Sequence, residues 1–172
     1  MDLLDFEAKD LYFQQQDSEE VQHLILQASS DYLHGGSELP LLKAFLRAPE
    51  SLNVLVALNR FYYYQHRLAE ALLISEKALE IIRCRLQFPQ DWRLLQLEHI
   101  HAAPREQLTW VRLYLFTLKS IGFLKMRQHQ LQPSKHIFEK LVALDSEDRI
   151  GAEALLELVN RKIEETTQEQ LT

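Results

Sequence analysis

The sequence predicts an all-α protein, on the strength of composition, periodicity and missing motifs. Its 172 residues include only 4 Gly and 5 Pro, less than half the roughly 12% that average usage gives this pair. Good helix formers dominate, and apolar residues recur at helical spacing with no strand-like alternation. The shortage of turn residues argues against a β-barrel, and no Gly-rich phosphate loop points to a Rossmann or P-loop enzyme.

The N-terminal part, residues 2–48, predicts three helices. The first covers Asp2–Gln15. A second follows an N-cap at Asp17 or Ser18 and ends at Gly35-Gly36, because Ser and Asp favour helix starts and Gly favours helix ends. A short third helix, capped by Ser37, ends before Pro49.

The central part predicts longer helices in pairs. Apolar spacing favours helices over 50–66 and 68–86, and Pro89 prevents simple continuation of the second. Residues 87–104 are expected to form a loop with one short helix at 92–100. Pro104 then suits the start of a long helix to Gln130, and another helix is expected from Pro133 to Leu144.

The C-terminal part predicts a turn and one last helix. Asp145 and Ser146 suit a turn and cap, a helix over 147–164 follows, and residues 166–172 are expected to be a disordered tail. We therefore expect a single helical-repeat domain over 1–165, because a chain of this length can bury one full core.

A shift of 63 residues aligns the chain with itself, which indicates an internal repeat. The segment Gln65-His66-Arg67-Leu68 falls on Gln128-His129-Gln130-Leu131, and Ile74, Glu76 and Lys77 fall on Ile137, Glu139 and Lys140. A helix–turn–helix unit therefore occurs twice, at about 52–83 and 115–146.

Each unit resembles a tetratricopeptide repeat (TPR), a family built on small residues at close helix contacts and an aromatic that fills the notch. The matching positions are Leu55, Leu58-Asn59, Tyr62, Ala71, Ser75 and Ala78 in the first unit, and Leu118, Ile121-Gly122, Lys125, Ser134, Phe138 and Leu141 in the second. The spacing of 63 instead of 34, Asn59 for Gly and Lys125 for Tyr depart from the pattern.

The resemblance implies antiparallel helix pairs stacked as a short right-handed array, with 147–164 as its C-terminal capping helix and 2–48 as degenerate N-terminal helices. The runs YYYQHRLAEAL and LDSEDRIGAEALL also resemble small bacterial repeat proteins of undefined role. The chain as a whole bears a faint resemblance to accessory proteins of nitrogen-fixation gene clusters.

The resemblance further implies a groove, lined by the first helix of each unit, that holds a peptide or a partner helix. The groove residues implied are Asn53, Val56, Arg60, Tyr63, Tyr64, Phe116, Lys119, Phe123, Met126 and Arg127. Arginine pairs with carboxylates in bidentate fashion, and aromatic rings supply contact area at low entropic cost. The same aromatic residues could instead pack in the core.

Charge is unevenly distributed along the chain. Residues 1–50 carry net −7, residues 51–144 net +6 and residues 145–172 net −5, within a total of −6. A basic centre attracts acidic partners, whereas an acidic whole argues against nucleic-acid binding. One cysteine, no basic leader and no long apolar run predict a cytoplasmic protein without a membrane partner.

The sequence therefore predicts a non-catalytic protein–protein interaction module, such as an assembly chaperone or adaptor, with no cofactor and no metal. A homo-oligomeric structural protein is one alternative. An all-helical small-ligand binder or enzyme that uses His99, His101 or His136 is another. The lone Cys84 is expected to be a buried thiol.

Overall fold

A computed structural model describes residues 17–31 and 36–169 of the chain, and every structural statement below concerns these residues. Eight α-helices and no strand occur in them, which confirms the all-α prediction. The predicted helix over 2–15 lies outside the described residues. The chain divides into two compact units, residues 1–78 and 79–172, with the boundary inside one helix. The single helical-repeat domain over 1–165 stays a prediction.

Unit 1 contains α1 (Glu19–Ser30), α2 (Glu38–Arg47), α3 (Leu52–Tyr64) and the first part of α4 (Leu68–Leu86). The Ser18 and Ser51 hydroxyls accept hydrogen bonds from the N–H groups of Val21 and Val54 and so cap α1 and α3. Ser37 occupies the N-cap position of α2, as the sequence predicts, but its hydroxyl makes no capping hydrogen bond. Its hydroxyl donates to the Ala28 carbonyl at 2.6 Å, which joins the start of α2 to α1.

An ion-pair network centred on Arg67 joins three helices of unit 1. The Arg67 guanidinium donates to Glu38 at 2.7 Å and to Glu70 at 2.8 Å, and it lies 4.6 Å from the centre of the Tyr62 ring. These bonds connect α2, α3 and the start of α4. Hydrogen bonds from Arg67 lower the pKa of Glu70.

Unit 2 contains the second part of α4, then α5 (Leu97–His101), α6 (Leu108–Arg127), α7 (Leu131–Leu144) and α8 (Glu153–Glu169). Residues 87–107 hold two 3-10 turns, Trp92–Leu94 and Arg105–Gln107, besides α5, where the sequence predicts one short helix. This segment is anchored by Leu95, which is fully buried and whose carbonyl accepts from Lys140 Nζ at 3.0 Å.

The start of the last helix differs from the prediction. Residues 145–152 form a loop, and α8 begins at Glu153 instead of 147. Asp145 accepts from the Ile150 N–H at 2.6 Å, and Asp148 accepts from the Ala152 N–H at 2.7 Å and from the Glu153 N–H at 3.2 Å. Asp145 thus satisfies an amide within the loop, and Asp148 satisfies the amides at the end of the loop and at the start of α8. The expected tail is partly helical, because α8 continues to Glu169.

The two helix–turn–helix segments end their first helices in the same way. His66 and His129, 63 residues apart, both adopt the left-handed backbone region, with φ of 57° and 60°. The Arg67 N–H donates to the Tyr62 carbonyl, and the Gln130 N–H donates to the Lys125 carbonyl at equivalent places. This six-residue hydrogen bond is the Schellman ending of a helix. The repeated sequence therefore encodes a repeated turn.

The two hairpins differ in the side chains that lie where their two helices come close together. In unit 1 the Asn59 amide donates to the Ala71 carbonyl and to the Ser75 hydroxyl, so a polar side chain joins α3 and α4. In unit 2 the equivalent of Asn59 is Gly122, and the space is filled by Phe138, the equivalent of Ser75. A larger residue on one helix is thus matched by a smaller residue on the other.

Candidate functional site

One face of α6 carries two aromatic rings with a cation at each end, and we call this set the α6 strip: Arg112, Phe116, Phe123 and Arg127. Residues 4, 11 and 15 positions apart lie on one face of a helix. The Arg112 guanidinium lies 5.8 Å from the centre of the Phe116 ring, and the Arg127 guanidinium lies 6.0 Å from that of Phe123. Both arginines are exposed and both rings are half-buried.

The α6 strip combines two kinds of recognition chemistry. A guanidinium near an aromatic face is held in place by an attraction of about 0.5–1 kcal/mol at an exposed site. The planar donor fork of arginine matches a carboxylate, and the half-buried rings offer flat apolar area. Such a surface suits a partner that presents both carboxylates and apolar side chains.

Lys119 does not lie on this exposed face, contrary to the sequence prediction. Its side chain is only 6% exposed, and Nζ donates to the Ile150 carbonyl at 2.5 Å. The ammonium also lies 4.8 Å from the centre of the Phe116 ring. The lysine therefore connects α6 to the loop that precedes α8, beneath the α6 strip.

Met126, which the sequence predicts to line the groove, is also buried, with only 4% of its surface exposed. Leu115, Lys119 and Met126 follow each other at helical spacing and are all buried. They form an inward stripe of α6 next to the α6 strip. The sequence could not separate the two stripes, because Lys119 and Met126 fit either of them.

Arg112 was missed by the sequence analysis. The signal that could have found it is its position four residues before Phe116, the spacing at which side chains on a helix meet. It lies three residues before the predicted repeat at 115–146, so the repeat pattern does not include it.

The predicted residues of unit 1 lie along α3. The Asn53 amide donates to the Asp17 carboxylate at 2.7 Å and so holds the residue that precedes the N-cap of α1. Val56, Arg60 and Tyr63 are half-buried, and Tyr64 is 50% exposed. The Tyr63 and Tyr64 rings meet edge to face at 5.4 Å between centres. The groove itself draws on both units and stays a prediction.

Shifted pKa values mark structural contacts in unit 2. Burial raises the pKa of Tyr114 to about 12, and this ring packs edge to face on Phe88. Hydrogen bonds from Arg83 lower the pKa of Glu80. The first effect reflects the packing of α6 on the residues that follow α4, and the second reflects an ion pair within α4.

Cys84 and His99, two other reactive residues that the sequence singles out, lie at the surface or at a helix start. Cys84 is exposed rather than buried, and Arg83 Nη2 lies 3.0 Å from its Sγ. His99 Nδ1 accepts from the Gln96 N–H at 3.1 Å and so caps α5. In the part of the chain that the structure describes, no group of three or more His, Cys, Asp and Glu residues is placed to hold a metal ion. No helix there has the length and apolarity to cross a membrane.

The fold and the site define an all-helical protein with a repeated helix hairpin and a cation–aromatic helix face. The chain belongs to the same family as the uncharacterized 19.8 kDa protein in the nifW 5′ region of Azotobacter chroococcum mcd 1. The two are 38% identical over 159 residues, which cover 92% of this chain and 89% of that relative. No family model matches the chain, and no solved structure matches it.

Proposed function

We propose that this protein is a non-catalytic interaction module that binds an acidic helix or peptide of a partner protein along the α6 strip. The observation that carries the proposal is the pairing of two exposed arginines with two half-buried rings on one helix face. Arginine and aromatic residues, phenylalanine included, are enriched in protein interfaces relative to the rest of the surface.

The length of the α6 strip indicates how long a partner helix should be and where its carboxylates should lie. Arg112 and Arg127 are fifteen residues apart, which corresponds to about 22 Å along a helix. A partner helix of four turns, with a carboxylate near each end and apolar side chains between, would match both pairs. The net charge of +6 over residues 51–144 favours encounter with such an acidic partner.

The repeated turn supports a TPR-like array as the scaffold of this module. The left-handed His66 and His129 and their equivalent hydrogen bonds recur at the 63-residue spacing. We propose that the helix pairs stack with the right-handed sense of that family and that α8 caps the array. A role as an assembly chaperone or adaptor in the cytoplasm follows from this proposal.

The partner should be sought among products of nitrogen-fixation gene clusters. The relative is named for its place in the nifW 5′ region, and the chain as a whole bears a faint resemblance to accessory proteins of such clusters. The proposal is that the two proteins, as members of one family, act on partners of the same kind.

The experiment is quantitative affinity capture from the native host with three forms of the full chain. Arg112→Glu/Arg127→Glu reverses both charges of the α6 strip, and Arg105→Glu/Arg161→Glu makes the same charge change at two other exposed positions of unit 2. We expect a partner that is lost with the first variant and retained with the second. Equal recovery by all three folded proteins would exclude the α6 strip. Self-capture, with a doubled mass in light scattering, would favour the homo-oligomer instead.

A further inference from the structure

Lys119 is a buried cation directly beneath the α6 strip. It is only 6% exposed, and its Nζ donates to the Ile150 carbonyl in the loop before α8. A methionine would fill the same space without the cost of taking an ammonium group out of water. Packing alone therefore does not explain why a charge lies at this position.

The loop before α8 is folded so that it holds this ammonium. The Asp148 N–H donates to the Asp145 carbonyl, and the Gly151 N–H donates to the Asp148 carbonyl, both at 3.0 Å. Asp148 and Gly151 adopt the left-handed backbone region, with φ of 47° and 69°. The Asp145 carboxylate accepts from the Ile150 N–H and so fixes the residue whose carbonyl binds Lys119. A Cβ at position 151 would lie 3.8 Å from the Lys119 Nζ, so the loop passes directly over the ammonium.

The Phe116 ring lies close to two cations. The Lys119 Nζ is 4.8 Å from the ring centre, and the Arg112 guanidinium is 5.8 Å from it. Arg112 is exposed and Lys119 is buried, and the attraction between a cation and a ring is stronger when the cation is desolvated. The buried ammonium therefore holds the ring more firmly than the exposed guanidinium does. A ring that is already held in one position loses less entropy when a partner covers it.

From this geometry we infer that Lys119 is a positioning residue of the α6 strip. It fixes Phe116 as the apolar anchor of the partner site, and the loop over 145–152 in turn fixes Lys119. The inference rests on the proposed function, because an anchor serves recognition only if the α6 strip binds a partner. The order of the loop and the affinity for an acidic partner then change together.

Fluorine NMR of the full chain without a partner tests the position of the ring. The label is 4-fluorophenylalanine in place of Phe116, and a second sample carries it in place of Phe123. We expect Lys119→Met to shift or broaden the signal from position 116 and to leave the signal from position 123 unchanged. Asp145→Ala, which releases Ile150 and leaves the lysine in place, should have the same effect. If Lys119→Met fails to fold, Asp145→Ala decides the result.

Two control variants separate positioning from a general loss of stability. Lys135→Met removes a lysine of α7 that pairs with Glu139 at 3.8 Å. Val159→Ala removes two methyl groups from a fully buried residue of α8. Neither control should alter the signal from position 116, because neither touches the Lys119 contacts.

The binding test uses a synthetic acidic helix of about four turns as the probe, with glutamate near each end and leucines between. We expect the unmodified chain to bind this probe and Arg112→Glu/Arg127→Glu to lose it. Lys119→Met and Asp145→Ala should bind about fivefold more weakly, which is the size of one cation–ring contact. Lys135→Met should bind as the unmodified chain does.

The inference is overturned if Lys119→Met leaves the signal from position 116 unchanged, or if Val159→Ala alters that signal equally. It is also overturned if Lys119→Met binds the probe as tightly as the unmodified chain. A different result contradicts the proposed function: the unmodified chain binds no probe, although the signal from position 116 responds to Lys119→Met. Lys119 would then hold the ring without a role in recognition.

Discussion

Substitution of Gly122 by alanine should destabilise unit 2, although the same change stabilises most helices. A Cβ at position 122 would lie 2.8 Å from Phe138 Cε1 and 3.0 Å from Ile137 Cγ2. Neither neighbour can move into solvent, because Phe138 is 0% and Ile137 only 1% exposed. The added methyl must therefore push α6 and α7 apart or force the ring from its preferred rotamer.

Two opposing effects set the magnitude. Gly to Ala inside a helix gains about 1 kcal/mol of helix propensity. Overpacking of a close-packed core costs about 1–3 kcal/mol, and the two buried neighbours place Gly122→Ala in the upper half of that range. We expect a net loss of about 1–2 kcal/mol in the free energy of unfolding.

Urea unfolding followed by tryptophan fluorescence measures this loss of stability in unit 2. The chain has two tryptophans, Trp92 and Trp110, and both belong to unit 2. A second variant, Phe138→Leu, creates space next to Gly122 and should be destabilising alone. The double variant Gly122→Ala/Phe138→Leu should be more stable than the sum of the single losses by about 1–2 kcal/mol.

A stable Gly122→Ala protein would refute the reasoning. If its unfolding midpoint equals or exceeds that of the unmodified protein, helix propensity outweighs packing and α6 and α7 are not in close contact there. Strict additivity in the double variant would show that the loss does not come from the Phe138 ring.

Three further predictions concern unit 2. Lys119→Met should lower the free energy of unfolding by about 1–3 kcal/mol in urea unfolding, because the Ile150 carbonyl loses its donor. Lys119→Glu should unfold the unit. An unchanged urea midpoint for Lys119→Met would contradict the buried hydrogen bond. The free energy of unfolding should fall as pH rises from about 10 toward 12, since the folded pKa of Tyr114 exceeds the unfolded value. Ultraviolet difference titration should show the raised pKa, and alkaline unfolding should show the loss of stability. Tyr114→Phe should reduce that loss. Asp148→Ala should cost about 1 kcal/mol and speed hydrogen exchange at the start of α8, whereas Asp148→Asn, still a capping residue, should lose less; equal effects of the two substitutions would argue against capping.

The sequence predicted most helices correctly because their signals are local. Ser18 and Ser51 cap helices as such residues do, and the 63-residue repeat predicted two helix hairpins. The start of α8 was missed because Asp145 accepts from a loop amide, and Asp148 accepts from the amides of Ala152 and Glu153, so that capping occurs six residues later than the sequence predicts. A sequence shows which residues can cap, but it does not show which amides come within reach.

The α6 face shows the limit most clearly. Local spacing predicted that basic and aromatic residues share one side of a long helix, and Phe116, Phe123 and Arg127 do so. Only packing against the loop before α8 decided that Lys119 turns inward to a carbonyl while Arg112 remains exposed. Periodicity fixes the direction of a side chain to within a fraction of a turn. Which direction faces the core depends on contacts between residues far apart in the chain, and those exist only once the helices have packed.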